Sequence, residues 1–431
     1  MLDPAFDFCA LSSHVSMACS LASFASPVPL GTALAMIFRL LPLLLLSAAD
    51  EWEPLRGILQ LYFPIRDMAF TAGTAQGRRF TFEKGKTKTS SPLPMASSSK
   101  FPVAIAIAGV VSDGHLSFDT FAHEVFPWWS SSNSDSRSRV TLRHLLSFTS
   151  GFYWPDASGF VPCLGANASQ YSPEACAKEI YQQAPFEFEP GSTWSYNSFH
   201  LQVAGAMAAS AAKISTQELL QRYLIKPLRL NSTQWLGGEN PGLAGNMMTT
   251  ADDYDRILRA FVGNELFPEA ISTEMERDYL DGVKVSNAST FLVTLLGHYS
   301  MCNYFECFPP KLQSFTESCR KRNIHMDAGL FGYYPMVDRS KGMYMQIATA
   351  TMPTSQKTFY APTIASMALR LLSKFWVDRA LGVQEEEMEE NRGIDAVWNL
   401  TEGLLQKSGL TNTFSSAAAV WAGLKQEELM V

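Results

Sequence analysis

The chain has 431 residues, of which 47% are hydrophobic and 17% charged, and its 34 Lys and Arg against 41 Asp and Glu give a formal net charge of -7. That length and apolar fraction require a folded body with a sizeable core and exclude a fully disordered chain. The acidic balance argues against nucleic acid as a partner. Seven cysteines in so long a chain do not make a disulfide-dense miniprotein, and neither a C-x-x-C pair nor H-E-x-x-H is present. No cofactor is expected.

Residues 1–49 are apolar and unlike the rest. Arg39 and Pro42 interrupt them, so they fall short of a membrane span, which needs about 20 mostly apolar residues. Read from Met36, the same letters give a cationic start at Arg39, a leucine-rich core, and small residues at Ser47 and Ala49 where a signal peptidase would cut. This is the pattern of a secretory leader, although a start at Met1 puts Asp3 and Asp7 ahead of the apolar core. An uncleaved anchor is the alternative, and would be the chain's one contact with a membrane. Sequons at Asn167, Asn231, Asn287 and Asn399 lean toward the secretory route. The pairs Cys163/Cys176 and Cys307/Cys319 each close a short loop and are candidate disulfides, which leaves Cys302 odd; five reduced, buried thiols are the alternative.

After the leader, β-rich runs between Ile58 and Phe82, separated by Gly73 and Gly77, predict a hairpin. Ser97 to Val111 predicts a helix closed by Asp113-Gly114. Helical patterns follow at Val140 to Phe148, His200 to Lys213, Gln217 to Tyr223 and Ala251 to Phe261. Strand character returns at Gly329 to Val337 and Gly342 to Thr351, ahead of an amphipathic helix from Pro362 to Leu381. Strands at both ends with helices between them predict an α/β body of the α+β type, with the layer formed by 50–117 and 322–383 and a helical insert over 118–321. The acidic run Glu385 to Glu390 reads as a linker to a tail, together 384–431.

The chemistry begins at Ser97-Ser98-Ser99-Lys100. Residues three apart share one face of a helix, so Ser97 at the helix start and Lys100 would be neighbours. A serine hydroxyl needs a base, and a lysine can serve where burial leaves its amine neutral. The helix N-terminus adds free N–H groups suited to an oxyanion. Alone, S-x-x-K is more often a cap followed by a surface lysine. The apolar run Phe101 to Val111, however, predicts a buried helix, and a buried Lys100 then needs a reason.

Two further segments sharpen this: Val140-Thr141-Leu142-Arg143-His144-Leu145-Leu146-Ser147-Phe148-Thr149-Ser150-Gly151, and Glu189-Pro190-Gly191-Ser192-Thr193-Trp194-Ser195-Tyr196-Asn197-Ser198. With these three ordered motifs, and with Lys226-Pro227-Leu228 and Thr249-Thr250-Ala251-Asp252-Asp253, the stretch from about Leu55 to Leu381 resembles the serine β-lactamase and penicillin-binding-protein superfamily. The likeness is to the group that includes class C β-lactamases and related esterases, in a eukaryotic branch. The resemblance implies a mostly antiparallel sheet flanked by helices. It also implies Ser97 as acylated nucleophile, Lys100 as its proton acceptor, and Tyr196 as the group that protonates the leaving group and activates water.

The resemblance is imperfect in two places. Where the family carries an amide in its Y-x-N motif, this chain has Ser198, with Asn197 beside it. Where the family carries K-T-G or H-x-G, it has Asp327-Ala328-Gly329, so an anion stands in place of the usual cation. Strand alternation puts His325 on the same side as Asp327, as a partial substitute. Leu330, after Gly329, is expected to give the second oxyanion N–H beside that of Ser97. An anionic Asp327 would repel a substrate carboxylate, so the expected substrate is a small molecule or peptide whose ester or amide lacks a carboxylate near the scissile bond. The competing expectation is a catalytically weakened relative with a binding or scaffold role. Other chemistries have less support: the seven histidines show no paired metal spacing, there is no G-x-S-x-G elbow or Walker A loop, and Trp128-Trp129 reads as core packing before sugar binding.

Overall fold

The computed structural model describes residues 50–153, 161–165, 168–286, 298–306, 317–353 and 360–383. The leader, the acidic linker and tail, the sequons at Asn167, Asn287 and Asn399, and Cys307 lie outside these residues. The chain divides into a unit Pro54–Thr411, which holds the fold described here, and a second unit, Met1–Glu53 with Asn412–Val431, of which only 50–53 are described.

Among the described residues the main sheet has six strands: β1 Met68–Thr74, β2 Gly77–Lys84, β3 Tyr304–Phe305, β4 Ile324–Met326, β5 Tyr334–Asp338 and β6 Met343–Ala348. Their order is β2-β1-β6-β5-β4-β3, and every pairing is antiparallel. β5 and β6 are buried along their whole length, as strands covered on both faces must be, while β2 alternates as an edge should. The β1–β2 hairpin is tight at Gly73, where a Cβ would lie 2.5 Å from the Gly77 carbonyl oxygen and 2.7 Å from the Tyr344 hydroxyl. The hairpin is shorter than expected, because Ile58 to Leu61 end a helix, Glu53–Leu61, whose apolar Leu55 and Leu59 are buried. Edge strand β3 comes from within the stretch read as a helical insert. Two residues are too few to show a period of two in sequence.

Four helices position the site: α1 Lys100–Ser112, entered through a 3-10 turn Ala96–Ser99, α2 Phe199–Ala212, α3 Ala251–Val262 and α4 Ala361–Ala380. α1 is buried from Lys100 to Val110, so the fold encloses it on all sides. A polar network ties α3 to the sheet through Asp255, which accepts hydrogen bonds from Thr71 (3.1 Å), Arg78 (2.9 Å) and the Tyr344 hydroxyl (2.8 Å). A small sheet of Leu93–Pro94, Met247–Thr249 and Gln234–Trp235 brings the loop after Trp235 against the start of α1. Trp129 is buried among Phe126, Phe152 and Tyr181, as core packing requires.

Cys163 and Cys176 form the expected disulfide. Cys319 is also disulfide-bonded, and Cys302 is a buried free thiol. Asn231 is exposed. Among the described residues no helix is long and apolar enough to cross a membrane.

α4 carries buried charge. The Lys374 ammonium lies 2.9 Å from Asp338 on β5 and 2.6 Å from Asp378 one turn along its own helix. Burial opposes ionisation of Asp338, but Lys374, the Ser340 hydroxyl and the Lys341 N–H together outweigh it and hold the carboxyl below its ordinary range. Its folded pKa is depressed, so this contribution is present above the unfolded value and is lost as pH falls through the folded one. Lys374→Met leaves the buried Asp338 without its counter-cation and Asp378 with Lys341 alone, and is expected to cost about 3–5 kcal/mol at pH 7, with the deficit shrinking at acid pH. Denaturant unfolding at both pH values checks this, and a loss below about 1 kcal/mol at pH 7 would contradict it.

Candidate active site

The nucleophile turn is built from strain and serines. Ala96 has a φ of 47°, a left-handed conformation costly for a residue with a Cβ, which reverses the chain just before Ser97. The two following hydroxyls are fastened to either side. Ser98 Oγ donates to the Asp327 carbonyl at 2.6 Å, while Ser99 Oγ donates to the Ala96 carbonyl at 2.6 Å and accepts from Met247 N at 3.1 Å. The Tyr254 hydroxyl donates to the Ser98 carbonyl at 3.0 Å. Ser97 instead faces a cavity of about 510 Å³.

Lys100 is 3% exposed on an otherwise apolar helix. Its Nζ donates to Ser97 Oγ at 3.0 Å and to the Ala244 carbonyl at 2.7 Å, and lies 4.8 Å from the centroid of the Tyr196 ring. Ser97 and Lys100 therefore meet Tyr196, distant from them in sequence, at one cavity wall. Tyr196 is wedged among the rings of Phe148, Trp194 and Tyr304, with centroids 5.5, 5.9 and 6.3 Å away.

The Thr149-Ser150-Gly151 segment fixes the backbone ahead of Tyr196. His200 on α2 has Nε2 2.7 Å from the Ser195 carbonyl and Nδ1 2.9 Å from Ser150 Oγ. A carbonyl only accepts, so Nε2 carries the proton and the Ser150 hydroxyl donates to Nδ1. Burial pushes His200 down to about 3, so the ring is neutral and acts as a brace. Ser195 N also donates to the Phe148 carbonyl at 3.0 Å.

Asn197 is buried and turned into its own loop. Its amide donates to the Phe152 carbonyl at 3.1 Å and its oxygen accepts from Phe199 N at 3.1 Å, so it caps α2 and does not line the cavity. Ser198 does line it. On the opposite side, Leu330 is a wall residue and Gly329 lies against the nucleophile turn, where a Cβ would overlap the Met95 carbonyl oxygen and sit 3.0 Å from Ser98 Oγ. Only glycine permits that approach.

Two expected residues are elsewhere. Asp327 does not face the cavity. It is 1% exposed, and its carboxylate accepts from Phe101 N at 3.1 Å, beneath the first turn of α1. His325 is 2% exposed, between Asn303 and Asn323, and burial pushes it down to about 3, so it offers the cleft no cation. Alternation does place both residues on one side of the strand, but that side packs on the helices: His325 meets Phe261 of α3, and Phe261 meets Phe101 of α1. Asp327 is therefore held outside the cavity lining.

Three contributors carry almost no sequence signal. The Ala244 carbonyl that holds Lys100 is a backbone group. Gln202, one turn after Ser198 on α2, donates to Asn240 Oδ1 at 2.6 Å and accepts from Leu243 N at 3.3 Å, which fixes the loop bearing Ala244. Asn240 donates in turn to the Cys163 carbonyl at 3.0 Å. A glutamine one helical turn beyond a tyrosine motif is the one available hint.

A family model described as Beta-lactamase matches residues 69–354. No curated protein matches the chain. Among solved structures, the chain is similar to a Bacteroides dorei DSM 17855 protein described as a beta-lactamase, at 21% identity over 76% of this chain and 99% of that one, with a TM-score of 0.61. It is similar to simvastatin synthase (LovD) from Aspergillus terreus at 14% identity over 78% of this chain and 100% of that one, TM-score 0.57. It is also similar to a D-stereospecific amidohydrolase from Streptomyces sp. at 17% identity, 71% and 94% coverage, TM-score 0.50. At these identities the likeness is one of fold: an antiparallel sheet flanked by helices.

Asp327 supplies a test of the site's electrostatics. Burial raises its carboxyl to about 8, against the opposing pull of Lys100 and the Phe101 N–H. The folded value lies above the unfolded one, so the native state holds an extra proton between roughly pH 4 and pH 8, and stability falls as pH rises through that window. Asp327→Asn removes the titration. Its unfolding midpoint is expected to match the native protein near pH 4 and to gain on it steadily up to about pH 8; a difference that stays constant with pH would contradict this.

Proposed function

The chain belongs to the beta-lactamase family and is a serine hydrolase, and on that premise we propose that it works through an acyl-enzyme on Ser97. The observation that carries this reading is the buried Lys100 amine, 3.0 Å from Ser97 Oγ and held there by the Ala244 carbonyl. Lys100 takes the hydroxyl proton as Ser97 Oγ attacks the substrate carbonyl. The oxyanion is stabilised by the backbone N–H groups of Ser97 and Leu330, both on residues that line the cavity. As the tetrahedral intermediate collapses, Tyr196 delivers a proton to the leaving alcohol or amine. The same groups then strip a proton from water, which attacks the acyl carbon and returns Ser97 with release of the acid.

The expected substrate is an ester or amide with no carboxylate near the scissile bond, now for a different reason. Among the described residues lining the cavity Lys100 is the sole basic side chain and none is acidic, and its amine is engaged at Ser97. No second cation is present among them to offset the cost of desolvating a substrate carboxylate.

A small alkyl fluorophosphonate is expected to label the native protein, and Ser97→Ala to abolish labelling. A neutral short-chain p-nitrophenyl ester is expected to turn over faster than nitrocefin, which carries a carboxylate beside its reactive amide. Labelling that survives Ser97→Ala would overturn the mechanism, and faster nitrocefin turnover would overturn the substrate assignment.

A further inference from the structure

Of the polar side chains that line the cavity, Ser97, Lys100, Tyr196 and Ser198 meet at the chemistry, while Gln202 and the exposed Asn246 lie on the wall beyond. Away from the chemistry its walls are built largely from Leu164, Leu236, Met247, Met248, Leu330 and Phe331. Two parts of this apolar lining flank the nucleophile directly. The Met247 carbonyl accepts from Met95 N at 3.0 Å and its N–H donates to Ser99 Oγ at 3.1 Å, while Leu330 and Phe331 follow Gly329, which is pressed against Met95.

Further out stands Leu236, 49% exposed, and the one large exposed hydrophobic residue that also lines the cavity among those described. Its backbone is fixed at both ends, with its N–H donating to the Asn246 carbonyl at 3.0 Å and its carbonyl accepting from Gly242 N at 3.1 Å. Leu164 is held as firmly, next to the Cys163–Cys176 disulfide and the Asn240 bond to the Cys163 carbonyl. Gln202, a buried polar residue of this region, has its amide engaged with Asn240, Pro241 and Leu243. A rigid apolar wall left open to water at its outer end is a surface that gains from being covered, and the cavity volume lies in the range of clefts that enclose a small ligand.

We propose that the acyl half of the substrate is an uncharged aliphatic chain of medium length, running from Ser97 past Met247 and Leu330 toward Leu236. This rests on the acyl-enzyme reading of Ser97 and adds to it the class of acyl group. The chain remains attached through the acyl-enzyme, so its contacts stabilise both transition states, whereas the leaving group departs to solvent.

The test is a series of p-nitrophenyl esters from acetate through butyrate and hexanoate to octanoate. It is run on the native protein and on Leu236→Ser and Leu236→Asp, with fluorophosphonate labelling of Ser97 measured on each. Each methylene that becomes buried raises kcat/KM by up to about fourfold, so the native protein is expected to prefer hexanoate to acetate by at least about tenfold. Leu236→Ser should reduce that ratio several-fold, and Leu236→Asp should reduce it further. A flat or falling series in a protein that labels at Ser97 overturns the proposal and leaves the hydrolase reading standing. Unchanged ratios in both variants overturn the assignment to this wall. Absence of Ser97 labelling in the native protein overturns both.

Discussion

A lysine amine enclosed in an apolar helix is the constraint on which the rest of this site depends. Moving such a group from water into a protein interior costs several kcal/mol unless its donors find partners. Lys100 finds two acceptors, one the nucleophile and the other the Ala244 carbonyl, and rests on the face of Tyr196. Each partner must then be brought to it. The Ala244 loop is fixed by Gln202 and Asn240, and Tyr196 by the Ser195 carbonyl that His200 holds. Ser97 is set by a left-handed Ala96 and by the anchored serines that follow it.

These supports come from distant parts of the chain and converge on the first turns of α1. The loop between β4 and β5 contributes through Tyr333 and Gly329, which close on Ser98 and Met95. α3 contributes the Tyr254 hydroxyl, and the small sheet contributes Met247. A network fastened this way holds the reacting groups near one geometry, which is what a nucleophile and base in hydrogen-bond reach require. The walls beyond it are mostly apolar.

Much of the catalytic core is legible in the sequence because it lies in short motifs with local geometry. Ser97 and Lys100 share a helix face by spacing alone, and the uniform apolarity of Phe101 to Val111 foretells that Lys100 is buried. Tyr196 needs the family likeness, since a tyrosine on a turn has no local mark of function. The glycine after Asp327 is visible as part of a motif and proves to be required sterically. Orientation and backbone are not legible. Alternation places Asp327 and His325 on one side of a strand but does not say which side meets the cavity, and here that side meets helices α1 and α3. Asn197 and Ser198 are adjacent, and only the hydrogen bonds to Phe152 and Phe199 decide that the amide turns inward. The Ala244 carbonyl is invisible in principle, because any residue supplies one.

The central claim is that Ser97 is acylated with Lys100 as its base and Tyr196 as the group that activates water. The most direct measurement is peptide mass mapping after acid quench of Tyr196→Phe mixed with p-nitrophenyl butyrate. The p-nitrophenolate leaves without needing a proton, so acylation proceeds, while loss of the tyrosine hydroxyl slows the water step. A butyryl mass on the peptide containing Ser97, building over successive quench times and absent when Lys100→Met is added, is the expected result. Ester turnover with no acyl mass on that peptide at any time, or with the mass on another residue, would contradict it.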